Sequence, residues 1–230
     1  MQIRWQLSDG DTDWMARALA FVNDAEAEAL SVRAEFHIVL AGGGTPKRLY
    51  EALAAESHDW SRWQVWYGDE RCLPADHPDR NSHMALEAWL KRVALPAANH
   101  HPIPAELGAD VAAKAYARSL DKVARFDLVL LGLGEDGHTA SLFPGHDWGT
   151  GLDAPAALAV FDAPKPPPER VSLSACRLSA ARHVLFLVTG AGKQEAVANW
   201  RTTGSIPAAA IMPEDGVDVV LDKPANGGRG

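Results

Sequence analysis

The sequence is poor in cysteine and has no long apolar run, and each absence excludes a class of protein. Only two of its 230 residues are cysteines, Cys72 and Cys176, and they form no CxxC pair. A framework of disulfides therefore cannot organise this fold. The longest aliphatic runs, 128–131 and 184–188, have the length of strands and fall far short of a membrane span. The first residues contain no apolar signal segment, so we expect a cytoplasmic globular protein.

An excess of positive charge is also missing. The chain carries 22 basic and 30 acidic side chains, a net charge of −8. Its overall field repels nucleic acids and acidic membrane surfaces, so we expect neither as a partner. An anionic small molecule could bind only where basic groups and backbone N–H groups cluster locally.

Several catalytic signatures are absent as well. The sequence contains no GxSxG elbow, no GxxxxGK[ST] loop and no HExxH helix. Its histidines show no metal-ligand spacing with the cysteines, and we predict that the protein uses neither metal nor cofactor.

What the sequence does contain is a repeated order of strand, glycine-rich loop and helix. This order predicts an α/β fold, a Rossmann-like three-layer α/β/α arrangement with a mostly parallel sheet. The loops after residues 40, 67, 131 and 188 would then meet at one edge of the sheet, where such folds bind ligands. The predicted strands span 2–7, 36–40, 64–67, 126–131, 171–173, 184–188 and 217–221, and the predicted helices span 11–33, 83–93, 110–123 and 193–200, with one more helix after Thr45.

The first of these loops is rich in glycine. Gly42, Gly43 and Gly44 precede Thr45, a suitable N-cap, and Pro46, a suitable first helical residue. Glycine backbone and a helix N-terminus together favour a bound phosphate. The alternative is a tight turn without a ligand, although one glycine usually suffices for that.

A second glycine loop, 132–137, has the GxGxxG pattern but does not suit a dinucleotide. Pro144 follows too soon for a crossover helix, and two acidic residues inside the loop would face a pyrophosphate. The loop instead presents Asp136 and His138. A neutral histidine oriented by a carboxylate is a common general base. The alternative is that both residues only cap the short segment that follows.

Three basic side chains are candidates for binding an anion. Arg71 follows Asp69 at a strand end, Lys193 begins a helix, and Arg170 follows a proline run. The alternatives are an ion pair for Arg71 and a solvated surface position for Lys193.

The four strand-end segments together resemble the 6-phosphogluconolactonases. They are LAGGGTPKRLYEAL (40–53), VWYGDERCLPADHPDRNSHMAL (65–86), FDLVLLGLGEDGHTASLFPG (126–145) and FLVTGAGKQEAV (186–197). Their order and spacing also match, and the resemblance extends from about residue 10 to residue 221. The related deaminases carry a similar DGH loop but continue toward an Asn-Glu-Pro sequence, whereas this chain continues with Thr139-Ala140-Ser141.

The resemblance implies that the chain hydrolyses 6-phosphoglucono-δ-lactone to 6-phosphogluconate in the oxidative pentose phosphate pathway, with water activated by His138. It further implies that Asp69 and Asp136 line or orient the catalytic site. The phosphate-side ligands implied by the same matching are Gly43, Gly44, Thr45, Arg71, Arg170 and Lys193, with Asn81 beside them. One departure is that Ser82 or His83 stands where the family pattern has an aromatic residue. For the oxyanion we expect N–H donors from loop 134–138.

Two other functions stay open at this stage. One is a sugar-phosphate isomerase or deaminase of the same superfamily, and the other is a sugar-phosphate sensor without catalytic activity. We expect a single domain over 1–223, a flexible tail over 224–230 and a monomer.

Overall fold

The computed structural model describes residues 2–227, and its centre is a six-stranded parallel sheet. The strands of the chain are β1 (Ile3–Leu7), β2 (Phe36–Leu40), β3 (Trp63–Tyr67), β4 (Asp69–Arg71), β5 (Phe126–Gly132), β6 (Ala157–Val160), β7 (Arg170–Leu173), β8 (Ala181–Val188) and β9 (Val217–Leu221). The α-helices are α1 (Asp11–Val32), α2 (Gly44–Leu53), α3 (Asn81–Ala88), α4 (Ala109–Ser119), α5 (Ala175–Ser179), α6 (Gln194–Thr202) and α7 (Lys223–Asn226).

The large sheet has the strand order β1-β9-β8-β5-β2-β3, and every neighbouring pair is parallel. Its central strands are apolar along almost their whole length because helices flank the sheet. Helix α1 shows the matching pattern, since its buried residues Trp14, Ala18, Val22, Ala25 and Ala29 recur every three or four positions. The predicted α/β fold with a mostly parallel sheet is confirmed.

A second sheet was not predicted. It has three antiparallel strands in the order β4-β7-β6, and it places Arg71 directly opposite Arg170. Segment 171–173 is a strand as predicted, but it belongs to this small sheet. β4 and β6, of three and four residues, were missed because they are too short for an alternating pattern to reveal them.

Several helix boundaries differ from the prediction, among them the end of α4, which lies at Ser119 rather than at residue 123. Gly43 rather than Thr45 is the N-cap of α2, and the glycine has a φ of 104°, a conformation that side chains disfavour. Thr45 lies inside the first turn, where its hydroxyl pairs with that of Thr189 at 2.7 Å. The helix predicted over 83–93 begins at Asn81 and ends at Ala88, and a 3₁₀ turn, Leu90–Arg92, follows.

The end of the chain is more structured than predicted. The tail expected from residue 224 begins as part of α7, which Asp222 caps by accepting the Ala225 N–H at 2.7 Å. Asp222 also accepts the Gly190 N–H at 2.9 Å, and Ala225 is fully buried. These contacts tie α7 to the loop after β8. Residues 228–230 of the predicted tail lie outside the described residues.

Between residues 2 and 227, no helix combines the length and the apolar character that a membrane crossing requires.

Candidate active site

Loops from four parallel strands line one cavity of about 380 Å³ at the carboxyl edge of the large sheet. They follow β2, β3, β5 and β8, the strands whose ends were expected to meet there. The predicted site residues that line the cavity are Gly43, Gly44, Thr45, Asp69, Arg71, Asn81, His138, Arg170 and Lys193. Asp136 does not line the cavity but contacts the imidazole of His138.

The imidazole of His138 is held from several sides. Its Nδ1 lies 2.5 Å from Oδ1 of Asp136, which also accepts the His138 backbone N–H at 3.1 Å. The ring packs on Phe143 at a centroid distance of 4.8 Å. It also lies against Gly134, where a Cβ atom would come within 2.0 Å of Nδ1. Glycine at 134 therefore creates the space in which this ring sits.

The pair has a defined proton arrangement. Burial would raise the pKa of Asp136, but the hydrogen bonds from the side chain and backbone of His138 lower it below its ordinary value. An ionised carboxylate only accepts, so the proton of a neutral imidazole resides on Nδ1. Nε2 then carries the lone pair, as a general base requires.

The loop that carries His138 is closed by its own hydrogen bonds. The N–H groups of Gly134 and Gly137 donate to the carbonyls of His138 and Gly134, at 2.7 and 3.1 Å, and that of His138 donates to Asp136. The expectation that N–H groups of loop 134–138 receive an oxyanion is therefore wrong for these three residues, because each N–H already has an acceptor.

Asp69 connects two parts of the site. Its Oδ2 accepts the Ser141 hydroxyl at 2.6 Å, and its Oδ1 accepts the Asn81 amide at 3.0 Å. The Asn81 amide in turn packs on Gly42, where a Cβ atom would come within 2.0 Å of it. These bonds fix the orientation of the Asp69 carboxylate, which lines the cavity.

The two arginines face each other across β4 and β7. Like charges at directly opposed positions of an antiparallel pair destabilise it unless an anion lies near both. Burial lowers the pKa of Arg170, with Asp69 opposing and Arg71 adding to this effect. Nε of Arg71 is buried and has no hydrogen-bond partner within residues 2–227. The pair therefore favours an anionic ligand.

Arg170 has a further contact that the sequence did not indicate. Its guanidinium donates to the carbonyls of Lys165, Pro166 and Pro167 at 2.9, 3.3 and 3.2 Å. These bonds hold the proline segment at the cavity, which Lys165 lines. The sequence shows a proline run before Arg170, but no local pattern marks Lys165 as part of a site.

Lys193 lies across the cavity in the turn before α6. Burial lowers the pKa of its ammonium group, which Glu135 raises and Lys165 lowers further. The ammonium groups of Lys193 and Lys165 are therefore close enough to repel each other, and an anion between them would relieve this repulsion.

The start of α2 supplies uncharged donors. The cavity is lined here by Gly43, Gly44 and Thr45. The N–H groups in the first turn of a helix have no hydrogen-bond acceptor inside the helix itself. The hydroxyl contact between Thr45 and Thr189 joins this turn to the loop after β8. Like Ser141, Thr189 was missed, because a lone hydroxyl after a strand carries no distinctive signal.

Cys72, next to Arg71, is not a reactive thiol. Burial and the nearby Glu169 raise its pKa to about 11, so it stays protonated near neutral pH. In the described part of the chain, no group of three or more His, Cys, Asp or Glu side chains is arranged to hold a metal ion.

Comparison with known proteins matches the chain to one family. Residues 10–220 match the family described as glucosamine-6-phosphate isomerases/6-phosphogluconolactonase. The chain is 39% identical to a 6-phosphogluconolactonase of Synechocystis, over 91% of each sequence. It is 34% identical to the chloroplastic 6-phosphogluconolactonase 3 of Arabidopsis thaliana, over 97% of this chain and 74% of that one. The crystal structure of a 6-phosphogluconolactonase from Thermotoga maritima superposes with a TM-score of 0.88 at 27% identity, over 96% of this chain and all of the other.

Proposed function

Because the chain belongs to the glucosamine-6-phosphate isomerase/6-phosphogluconolactonase family, we propose that it hydrolyses 6-phospho-D-glucono-1,5-lactone to 6-phosphogluconate. The observation that carries this proposal is that an oriented histidine and two opposed arginines line the same cavity. The reaction requires both, since its substrate joins an electrophilic carbonyl to a phosphate. In the cell it would supply the oxidative pentose phosphate pathway.

In this proposal the phosphate lies between the basic side chains. Arg71 and Arg170 approach from the small sheet, and Lys193 and Lys165 from the loops across the cavity. The N–H groups at the start of α2 complete the anion site. These contacts explain how a chain with a net charge of −8 binds a doubly charged group.

The chemical step needs only water and a base. His138 Nε2 removes a proton as the water oxygen attacks C1 of the lactone. The bond between C1 and the ring oxygen then breaks, and the ring oxygen leaves as the C5 hydroxyl after taking a proton. The acid that forms ionises, so one water is consumed and one proton is released. A lactone is already an activated ester, which agrees with the absence of a nucleophilic serine elbow.

The curated relatives favour this reaction over sugar isomerisation, because the chain is 34% and 39% identical to proteins named as 6-phosphogluconolactonases. The sequence after the DGH loop, Thr139-Ala140-Ser141, also differs from the Asn-Glu-Pro continuation of the related deaminases.

Proton release from freshly generated lactone, measured above spontaneous hydrolysis with and without EDTA, tests the proposal. We expect rapid turnover that the chelator leaves unchanged. Release of ammonia from glucosamine 6-phosphate would instead indicate the deaminase, and binding of 6-phosphogluconate without turnover would indicate a sensor. No acceleration by folded protein would overturn the proposed reaction.

The role of His138 has its own test. We expect His138→Ala to lower kcat by roughly 10²- to 10⁴-fold, the usual contribution of a general base, while 6-phosphogluconate still binds. His183, near the amino end of β8 and outside the cavity lining, provides the matched control, His183→Ala, whose kcat should match that of the wild type. Turnover by His138→Ala at the wild-type rate would exclude histidine as the base.

A further inference from the structure

We propose that Glu70, a buried carboxylate behind the cavity, is a positioning residue that sets the spacing between the substrate-facing residues Arg71 and Asn81. The proposal deepens the proposed function and rests on it. Glu70 has no exposed surface and does not line the cavity, so it acts only through its neighbours.

A single oxygen of Glu70 joins the two residues. Its Oε1 accepts the backbone N–H of Arg71 at 2.9 Å and that of Asn81 at 2.7 Å. Its Oε2 accepts the N–H and the hydroxyl of Ser82 at 2.9 and 2.7 Å. Four donors thus converge on one carboxylate.

These bonds do more than cap a helix. The Ser82 and Asn81 N–H groups belong to the first turn of α3, which a carboxylate stabilises. The Arg71 N–H, in contrast, belongs to the last residue of β4, on the other side of loop 72–80. Glu70 therefore fixes a strand end relative to a helix start, and each contributes a side chain to the cavity.

The negative charge of Glu70 is compensated by a buried arginine, Arg80. Nε of the buried Arg80 lies 3.4 Å from Oε2, and the Arg80 guanidinium also donates to Glu106 at 2.8 Å and to the carbonyl of Ile103. A buried charge with a fixed partner and four donors keeps one geometry, since any displacement leaves a buried group unpaired. The position of Oε1 is thereby set.

The effect should fall on substrate binding. Arg71 is a proposed phosphate ligand, and the Asn81 amide meets Gly42 and Asp69 beside it. His138 and Asp136 lie on the loop after β5, which is held by its own bonds. A change at Glu70 therefore shifts the phosphate contacts and leaves the base in place.

Two substitutions separate the effect of the length of the Glu70 side chain from the effect of its charge. Glu70→Asp keeps the charge that faces Arg80 but is one methylene shorter, so it cannot bond both N–H groups. Glu70→Gln keeps the length, but the NH₂ group of its amide is a donor and would face backbone N–H groups that are donors too. We expect either change to raise KM for the phosphorylated lactone roughly tenfold, the value of one displaced hydrogen bond, with kcat within about threefold of the wild type.

Two controls isolate the positioning role. Glu106→Gln makes the same chemical change at the other partner of Arg80, and we expect its KM to match the wild type. Unphosphorylated glucono-1,5-lactone makes no use of Arg71, so the Glu70 variants should lose less kcat/KM with it than with the phosphorylated lactone. A role of Glu70 in stability alone would lower the melting temperature and leave the KM of the folded protein unchanged.

Calorimetric titration with 6-phosphogluconate repeats the comparison without turnover. We expect the dissociation constant of both Glu70 variants to rise in parallel with KM. Unchanged KM and dissociation constants in folded Glu70 variants would overturn the proposal. An inactive wild type that still binds 6-phosphogluconate would reject the proposed reaction alone, and the titrations would still decide the role of Glu70.

Discussion

At the scale of single residues, Asp136 determines which nitrogen of His138 is free. Asp136→Asn removes the charge that stabilises the imidazolium formed when His138 takes a proton. We expect kcat to fall by roughly 10²-fold, within the range for a disturbed general base, with KM nearly unchanged. Initial rates over a range of lactone concentrations provide the measurement. A rise in KM at constant kcat would instead assign Asp136 to substrate binding.

Lys165 is the basic residue whose role the sequence did not suggest. Because Arg170 holds its segment at the cavity, we expect Lys165→Met to raise KM for the phosphorylated lactone by about three- to tenfold. Lys91 pairs with Glu87 on the surface, so Lys91→Met is the matched control and should leave KM unchanged. Equal KM values for both variants would remove Lys165 from the phosphate site.

At the scale of secondary structure, the small sheet brings the basic groups together. The β4–β7 register places Arg71 and Arg170 side by side, and a bound anion would relieve the repulsion between their charges. A ligand that binds only the folded state stabilises it by about 2.7 kcal/mol at 100 times its dissociation constant. Anion binding should therefore be visible in the melting temperature.

We expect 6-phosphogluconate to raise the melting temperature of the wild type and to raise that of Arg71→Met much less. Arg118 lies exposed on α4, away from the cavity, and Arg118→Met should respond as the wild type does. Differential scanning fluorimetry over a series of ligand concentrations makes the comparison. A full shift in Arg71→Met would show that the opposed arginines do not bind the anion.

The elements also show where sequence patterns stop being informative. β2 and β9 have the bounds that were predicted, because each is a run of five residues in which four are apolar and only the second, His37 or Asp218, is polar. β4 is Asp-Glu-Arg, and nothing in three charged residues indicates a strand. The same three residues provide Asp69, Glu70 and Arg71, so the least predictable strand contributes most to the site.

For the site, glycine loops and charged residues at strand ends were visible in the sequence, and the parallel sheet brings them to one edge. Contacts between distant segments were not visible. Ser141 reaches Asp69 across 72 positions, and Arg170 binds the carbonyls beside Lys165 only because of the small sheet. These pairings depend on strand order and register, which local spacing does not specify.

At the scale of the whole molecule, the charge of the cavity lining is opposite in sign to the net charge of the chain. The net charge is −8, yet Asp69 is the one carboxylate among the cavity-lining residues described here, which include two arginines and two lysines. Because the acidic excess lies outside the cavity, the cavity is the region that attracts an anion. This local field, rather than the net charge, selects the ligand.

A half-buried histidine cluster far from the catalytic pair in sequence couples stability to pH. His101 stacks on Trp66 at a centroid distance of 3.9 Å, and Nε2 of His100 pairs with the Tyr67 hydroxyl at 2.7 Å. Burial, together with the nearby His101, lowers the pKa of His100 from 6.5 to about 4. Burial also lowers the pKa values of His101 and His37, with Glu35 opposing the effect in both.

Between pH 6.5 and about 4, the unfolded chain therefore binds a proton at His100 that the folded protein does not. The unfolding free energy has to fall as the pH drops through this window, and above it the contribution is complete. His100→Gln can still hydrogen-bond the Tyr67 hydroxyl but does not titrate, so we expect a shallower decline. Urea unfolding from about pH 7.5 down to about 4.5 measures the slope, with the exposed His146→Gln as control. Identical slopes for the wild type and His100→Gln would mean that His100 is protonated equally in both states, and that its contact with Tyr67 does not exclude the proton.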